Sequence, residues 1–337
     1  MIDENKPQRE SEQPLGVIAC LTLGFEIAAR YPQLSILPFL LDTYLWLGPR
    51  LSLKPFLAKL SVLWATPPTT ELVSAYQSLN QVIDEVGQRY NLFALLEPAP
   101  LLGVPSLMSK HLTLLRPFGE RPTIPVTNAG MTVSWVLFLT SLGLGLAAVY
   151  LWQIGTRIGE EIEKPPVKPA APLKIWGNLL KLTFWLLLAL VGLGSPVLLV
   201  TSLLSLFSFG LSSFLITLVL SAGVFILLHC IYTIPSMVQF RKTPFQALRE
   251  SLILTRADFP GALGLLLATL IISQGLNYVW TLPAPESWST LIGIGGHAII
   301  STALTISLFI FYQERVIYLE ILKQAYAAST AKSPAET

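Results

Sequence analysis

Charge is what this sequence has least of. Only 12% of its residues are Asp, Glu, Lys or Arg, about half the share that a soluble domain needs to cover its surface. Hydrophobic residues make up 53% and the mean hydropathy is +0.62, so a soluble globular fold is excluded. The net charge is +2 and no lysine- or arginine-rich block occurs, which argues against nucleic acid as a partner. Cysteine is scarce too. Cys20 and Cys230 both sit among apolar neighbours and read as small hydrophobes rather than a disulfide framework. Histidine is limited to His111, His229 and His297 in three separate segments, so no metal site and no cofactor are expected. The chain also lacks a phosphate-binding loop, a dinucleotide fingerprint, a zincin motif and a nucleophile elbow, and no catalytic residue is expected.

What the chain does have is apolar runs close to 20 residues long, the length at which a helix crosses about 30 Å of hydrocarbon. The expected fold is all-α, a polytopic transmembrane helix bundle of about six crossings with amphipathic interfacial helices, so its first partner is the lipid bilayer. Residues 1–13 are charged and aperiodic and read as a disordered cytoplasmic tail. Residues 17–20 loosely resemble a lipoprotein cleavage box, but only residues 15–19 before the cysteine are apolar, short of the roughly 7–15 residues of a signal core, so the segment is read as retained. Within 14–49, residues 15–29 are broken by Glu26, closed by Arg30 and Pro32, and suit an interfacial helix, while 31–48 read as the first crossing. A re-entrant hairpin made of both segments is the alternative.

Residues 50–128 form an extramembrane, extracytoplasmic region in which charges return and prolines cluster. Leu72, Tyr76, Leu79, Ile83, Val86 and Tyr90 recur at helical spacing and predict an amphipathic helix starting from Thr69 or Thr70. Its apolar face calls for a cover: residues 51–65, the membrane surface, or a membrane or extracytoplasmic protein partner. Residues 129–327 hold five crossings, at 131–153, 175–204, 211–237, 261–280 and 291–312, the last continuing as a cytoplasmic helix. A proline-rich loop, 159–172, joins the first two of these, and Pro196 should kink the second. An amphipathic connector spans 243–259, with Thr243 as cap, Pro244 at the first turn, Gln246 completing a capping box, and Phe245, Leu248 and Leu252 on one face. Residues 293–296, rich in glycine, read as a close-packing helix start, and 328–337 as a disordered tail.

Lysine and arginine accumulate in the loops around Arg157, Lys164, Lys168 and Lys174 and around Arg241, Lys242, Arg249 and Arg256, whereas the turns at 205–213 and 281–288 have none. Positive residues stay on the cytoplasmic side, so both termini are expected in the cytoplasm of a cell whose inner (plasma) membrane holds the chain. Trp46, Trp135, Trp280 and Trp288 fall near the outer boundaries, where indoles partition.

Four polar residues at membrane depth are the candidate site: Asp42, His229, His297 and Gln274. A charge at mid-membrane costs about 2.5–3.5 kcal/mol, so something should offset it at Asp42: capping of a helix break near Pro38, a place close to the outer headgroups, or service as a proton or cation site. His229 reads first as a hydrogen-bonded structural histidine, and Glu314 with Arg315 as a solvated helix end.

The connector at 243–252, followed by Thr255 and Arg256, resembles an element of bacterial six-helix membrane proteins, among them the membrane domain attached to some glycerophosphoryl diester phosphodiesterases. The opening from Gly24 to Leu47 resembles the start of other bacterial membrane proteins. The resemblance implies the six-helix topology, and with no barrel domain in the chain it implies no catalytic residue. The leading expectation is therefore a non-enzymatic scaffold or membrane-organising protein; the alternative is a secondary transporter or small-solute permease using Asp42.

Overall fold

A computed structural model describes residues 13–63, 73–98, 102–110, 115–161 and 168–331. The expected N-terminal tail (1–12), most of the proline-rich loop (162–167), His111, the cap at Thr69 or Thr70, Leu72, the side chains of Tyr76 and Leu79, and residues 332–337 lie outside the described residues. The fold is an all-helical polytopic bundle: α1 (Val17–Arg30), α2 (Ile36–Leu47), α3 (Lys54–Leu63), α4 (Val73–Arg89), α5 (Ala129–Glu161), α6 (Pro172–Phe207), α7 (Phe209–His229), α8 (Thr233–Gln239), α9 (Pro244–Ala257), α10 (Phe259–Trp280) and α11 (Thr290–Ala331). Four strands of two or three residues interrupt the α2–α5 connection: β1 (Arg50–Ser52) pairs in parallel with β4 (Thr123–Pro125), and β2 (Leu115–Arg116) pairs antiparallel with β3 (Gly119–Glu120). Among the described residues, five helices or helix pairs are long and apolar enough to cross a membrane, so the chain is a multi-pass membrane protein.

The axis of the bundle is α11. Its Ile294, Ala298, Ala303, Ile306, Ile310 and Tyr312 are all buried, and α1, α2, α5, α8 and α10 pack around it. The N-terminal segment follows α11 backwards along its length. Leu15 N meets the Glu314 carboxylate at 3.3 Å, Gly24 packs on Ala303 and Ser307, Phe39 reaches Gly295, and Trp46 Nε1 donates to Pro285 O at 2.9 Å. α1 and α2 are thus joined end to end through a 3₁₀ turn (Pro32–Ser35), not folded back as a hairpin. Neither is a crossing by itself, since the 12 residues of α2 extend only about 18 Å. Close approach explains why α1 holds to α11: Cys20, Gly24 and Ala28, four apart, are all buried on one face. The last turn of α5 reaches the α1–α2 break, where Arg30 pairs with Glu161 at 2.6 Å and Arg157 lies over the Tyr31 ring.

Several boundaries differ from the sequence reading for physical reasons. α6 continues to Phe207 with Pro196 inside it, and Ser208 alone separates it from α7, its hydroxyl accepting from Leu211 N at 3.4 Å. The expected crossing at 211–237 is divided at residues 230–232, where Ser251 of α9 accepts from Tyr232 N (3.1 Å) and donates to His229 O (2.6 Å). The capping box forms, Thr243 N donating to Gln246 Oε1 at 3.1 Å. The face of α9 that is buried, however, is Ala247, Ser251, Leu254 and Thr255, while Phe245 is exposed and packs on Trp185. Glu314 and Arg315 are not a solvated helix end. Both are buried, and Arg315 binds Asp258 at 2.9 Å and Leu15 O at 2.5 Å while its guanidinium stacks on Phe311. The glycines at 293 and 296 admit Trp280, whose carbonyl and ring would each lie within 3 Å of an added Cβ.

A methyl group at Gly24 would stand 2.8 Å from Ala303 O and 2.9 Å from Ser307 N, backbone atoms that cannot rotate away. Gly24→Ala should therefore lower stability by about 1–3 kcal/mol, read as a fall in the thermal midpoint in detergent. Gly16→Ala, with nothing within 4 Å, should leave the midpoint unchanged.

Candidate functional site

The site begins with a stretch that has no α-helix or strand among its described residues. Between Tyr90 and Lys110 the only charge is Glu97, and Pro98, Pro100 and Pro105 prevent a helix. Asn91 starts the stretch, its Oδ1 accepting from Phe93 N (3.2 Å) and from Leu51 N of β1 (3.0 Å), and a 3₁₀ turn follows over Leu92–Leu96. Leu92, Phe93, Leu96, Leu102, Val104, Leu107 and Met108 are buried, so the loop enters the bundle instead of lying on it. Gly143 of α5 makes room for it: a Cβ there would lie 2.5 Å from Leu96 O.

Asp42 holds the returning limb. The carboxylate is fully buried and accepts Leu107 N and Met108 N, both at 2.9 Å, together with the Ser106 hydroxyl. Ser106 Oγ in turn accepts from Ser109 N at 3.0 Å, and the Ser109 hydroxyl donates to Glu97. A carboxylate that receives three donors in this way needs no further partner. The charge cost foreseen for Asp42 is offset by anchoring a loop.

The inserted loop closes one side of a cavity of about 170 Å³ among α5, α8, α10 and α11. Leu266, Leu304 and Phe309 supply apolar wall, and Glu97, Lys110, Tyr150, His297, Ser301 and Thr305 supply polar groups. Tyr150 is fully buried and its hydroxyl meets Thr302 Oγ1 at 3.2 Å. Ser301 and Thr305 donate to carbonyls one turn earlier in α11, at 2.7 Å and 2.8 Å, which leaves their oxygen lone pairs as acceptors. Glu97 is held at the cavity by the Ser109 hydroxyl, which donates to it.

Of the four residues singled out by sequence, His297 lines this cavity and Asp42 supports it through Ser106. His229 lies elsewhere, at the end of α7, with Nδ1 at 2.8 Å from Phe225 O and its ring against Phe225 and Phe259. Gln274 is exposed on α10, while its neighbour Ser273 faces the cavity. Glu97, Lys110 and Tyr150 were missed. The first two carried a readable signal, an apolar stretch of about one helix length with a single carboxylate and too many prolines to be a helix. Among the described residues no group of three or more His, Cys, Asp or Glu side chains converges as a metal site would require.

No protein-family model, curated protein or solved structure matches the chain.

Asp42→Asn turns an amide N–H₂ toward donors that now meet an oxygen. The mismatch should cost about 1–3 kcal/mol and release the loop, seen as a lower thermal midpoint and faster tryptic cleavage at Lys110.

Proposed function

We propose that the chain is a membrane-embedded binding protein of permease type, which takes a small polar solute into the cavity and passes it across the bilayer. The observation that carries this reading is a cavity whose mostly apolar wall holds Glu97, Lys110, His297 and Ser301, inside a bundle that could have been filled with apolar side chains. Ionisable groups at membrane depth are costly and mark solute paths, and a loop broken by prolines at that depth is tolerated where it lines a cavity. Size limits the solute. An apolar cavity of about 150 Å³ admits benzene, and drug-sized ligands need about 300 Å³ or more, so 170 Å³ suits a solute of a few heavy atoms. The opposite charges of Glu97 and Lys110 favour one without net charge. Glu97 takes the role that the sequence reading gave to Asp42, because Asp42 is engaged with the loop. The distribution of lysine and arginine supports placing both termini in the cytoplasm and the α2–α5 connection on the outer side, with residues 92–110 returning into the bundle, in a bacterial inner membrane.

Proteoliposome swelling with glycerol, urea and glycine tests the reading. The protein should accelerate entry of at least one of the three over empty vesicles, and Ser301→Trp, which fills the cavity, should abolish the gain. Entry at the empty-vesicle rate for all three would overturn it.

The scaffold reading rests on a different observation: Val82 and Val86 of α4 are exposed although α3 packs on the same helix. Cross-linking from Val86→Cys in native membranes should trap a partner polypeptide under that reading, and should recover the chain alone if it is wrong.

A further inference from the structure

Three arginines of the α2–α5 connection take no part in the cavity. Arg50 begins β1, Arg116 ends β2, and Arg121 follows β3. The β1–β4 ladder brings them together, since Arg50 pairs with Thr123 and its N–H donates to Pro122 O at 2.8 Å, one residue from Arg121. Two of the three have evident duties. Arg50 Nη2 donates to Gly87 O (2.8 Å) and Tyr90 O (3.4 Å) at the end of α4, and Arg116 Nη1 donates to Leu47 O at the end of α2. Cations suit those helix C-termini, where carbonyls lack intrahelical partners.

Arg121 has no such duty. It is only 9% exposed, and its guanidinium makes no hydrogen bond and no ion pair among the described residues. The adjacent Glu120 is exposed and forms no ion pair with it. The Nε atoms of Arg50, Arg116 and Arg121 are all buried without an acceptor. Burial first, then the charges of Arg116 and Arg50, hold Arg121 down to about 10. A buried, unpaired cation beside two others is strongly unfavourable unless an anion completes the group. The surroundings indicate where the anion would come from. Phe118, between Arg116 and Arg121, is 67% exposed and meets Trp288 edge-on at 5.3 Å, and Trp288 meets Trp46 at 5.8 Å. Leu115 and Ile124 are exposed alongside. Such an aromatic and apolar rim is the setting of a headgroup layer.

We propose that Arg121, backed by Arg116 and Arg50, is an anion site that binds a phosphoryl group, presented by a phospholipid headgroup or by a soluble phosphate ester. The guanidinium fork matches two oxygens of a tetrahedral phosphoryl group, and a multiply charged anion neutralises more of the cluster than a carboxylate would. The site is separate from the cavity and stands or falls independently of the permease reading.

The test uses the full-length protein in a neutral detergent, with thermal unfolding and direct binding measured on adding phosphatidylglycerol, inorganic phosphate, or sodium chloride at matched ionic strength. A rise in midpoint with phosphatidylglycerol alone identifies the lipid source, and a rise with inorganic phosphate as well identifies the soluble one. Arg121→Gln without any added anion should be at least as stable as the parent chain, because a repelled cation has gone. Its response to the anion should disappear or weaken by about tenfold or more, the loss expected for a charge-assisted hydrogen bond. Arg121→Lys should retain part of the response. The proposal is overturned if neither anion acts beyond chloride, if Arg121→Gln responds as the parent does, or if Arg121→Gln is less stable than the parent when no anion is present.

Discussion

A helix surrounded by other helices in a membrane gains nothing from hydrophobicity alone, because lipid is as apolar as its neighbours. It must be held by close contact and by polar pairs, and α11 is built on that constraint. Ala303 and Ser307 admit Gly24, the glycines at 293 and 296 admit Trp280, and Tyr150 reaches Thr302. Each neighbour approaches at a small residue or at a hydrogen bond. The cavity lies where this packing gives way to the loop that Asp42 and Gly143 hold inside the bundle.

The buried charges follow the same rule at the other end of α11. Glu250 accepts from Tyr312 at 2.8 Å and also engages Ser236 and Lys242, and Arg315 joins Asp258 to Leu15 O. These groups knit α1, α8, α9, α10 and α11 into one polar plate. Removing Asp258 would leave the buried Arg315 guanidinium without its carboxylate, which costs more than the pair itself contributes. By contrast, α6 beyond Phe184 and most of α7 are apolar and largely exposed, with a tie where Ser212 Oγ donates to Thr201 O at 3.0 Å.

The helical membrane fold was legible because apolar runs of bilayer length have no other use, and the start of α9 because a capping box is a local device. What was not legible came from one ambiguity: hydrophobicity marks burial in protein and exposure to lipid alike. On α9 the apolar face with Phe245 turns outward, as an interfacial helix requires, whereas the inward face of small or polar residues such as Ala247 and Ser251 carried no hydrophobic signal. Glu314 and Arg315 looked like a helix end at the water because their partners, Leu15 and Asp258, are distant in the chain. The loop at 92–110 was read as part of an extramembrane region because its prolines exclude a helix, and composition alone does not reveal that its apolar residues pack inside the bundle. Asp42 was recognised as a residue needing a role, but the role depended on backbone amides that no side-chain pattern reveals.

The tie between Leu15 and the Glu314–Arg315 pair joins positions 299 and 300 residues apart. Helix α1 therefore has its principal contact with a helix made long after it. Until α11 has been synthesised, the stripe of Cys20, Gly24 and Ala28 faces lipid or a surrogate, and the cavity has only part of its wall. Closure of the bundle waits for α11, and chains released before α11 emerges leave α1 without its natural seat.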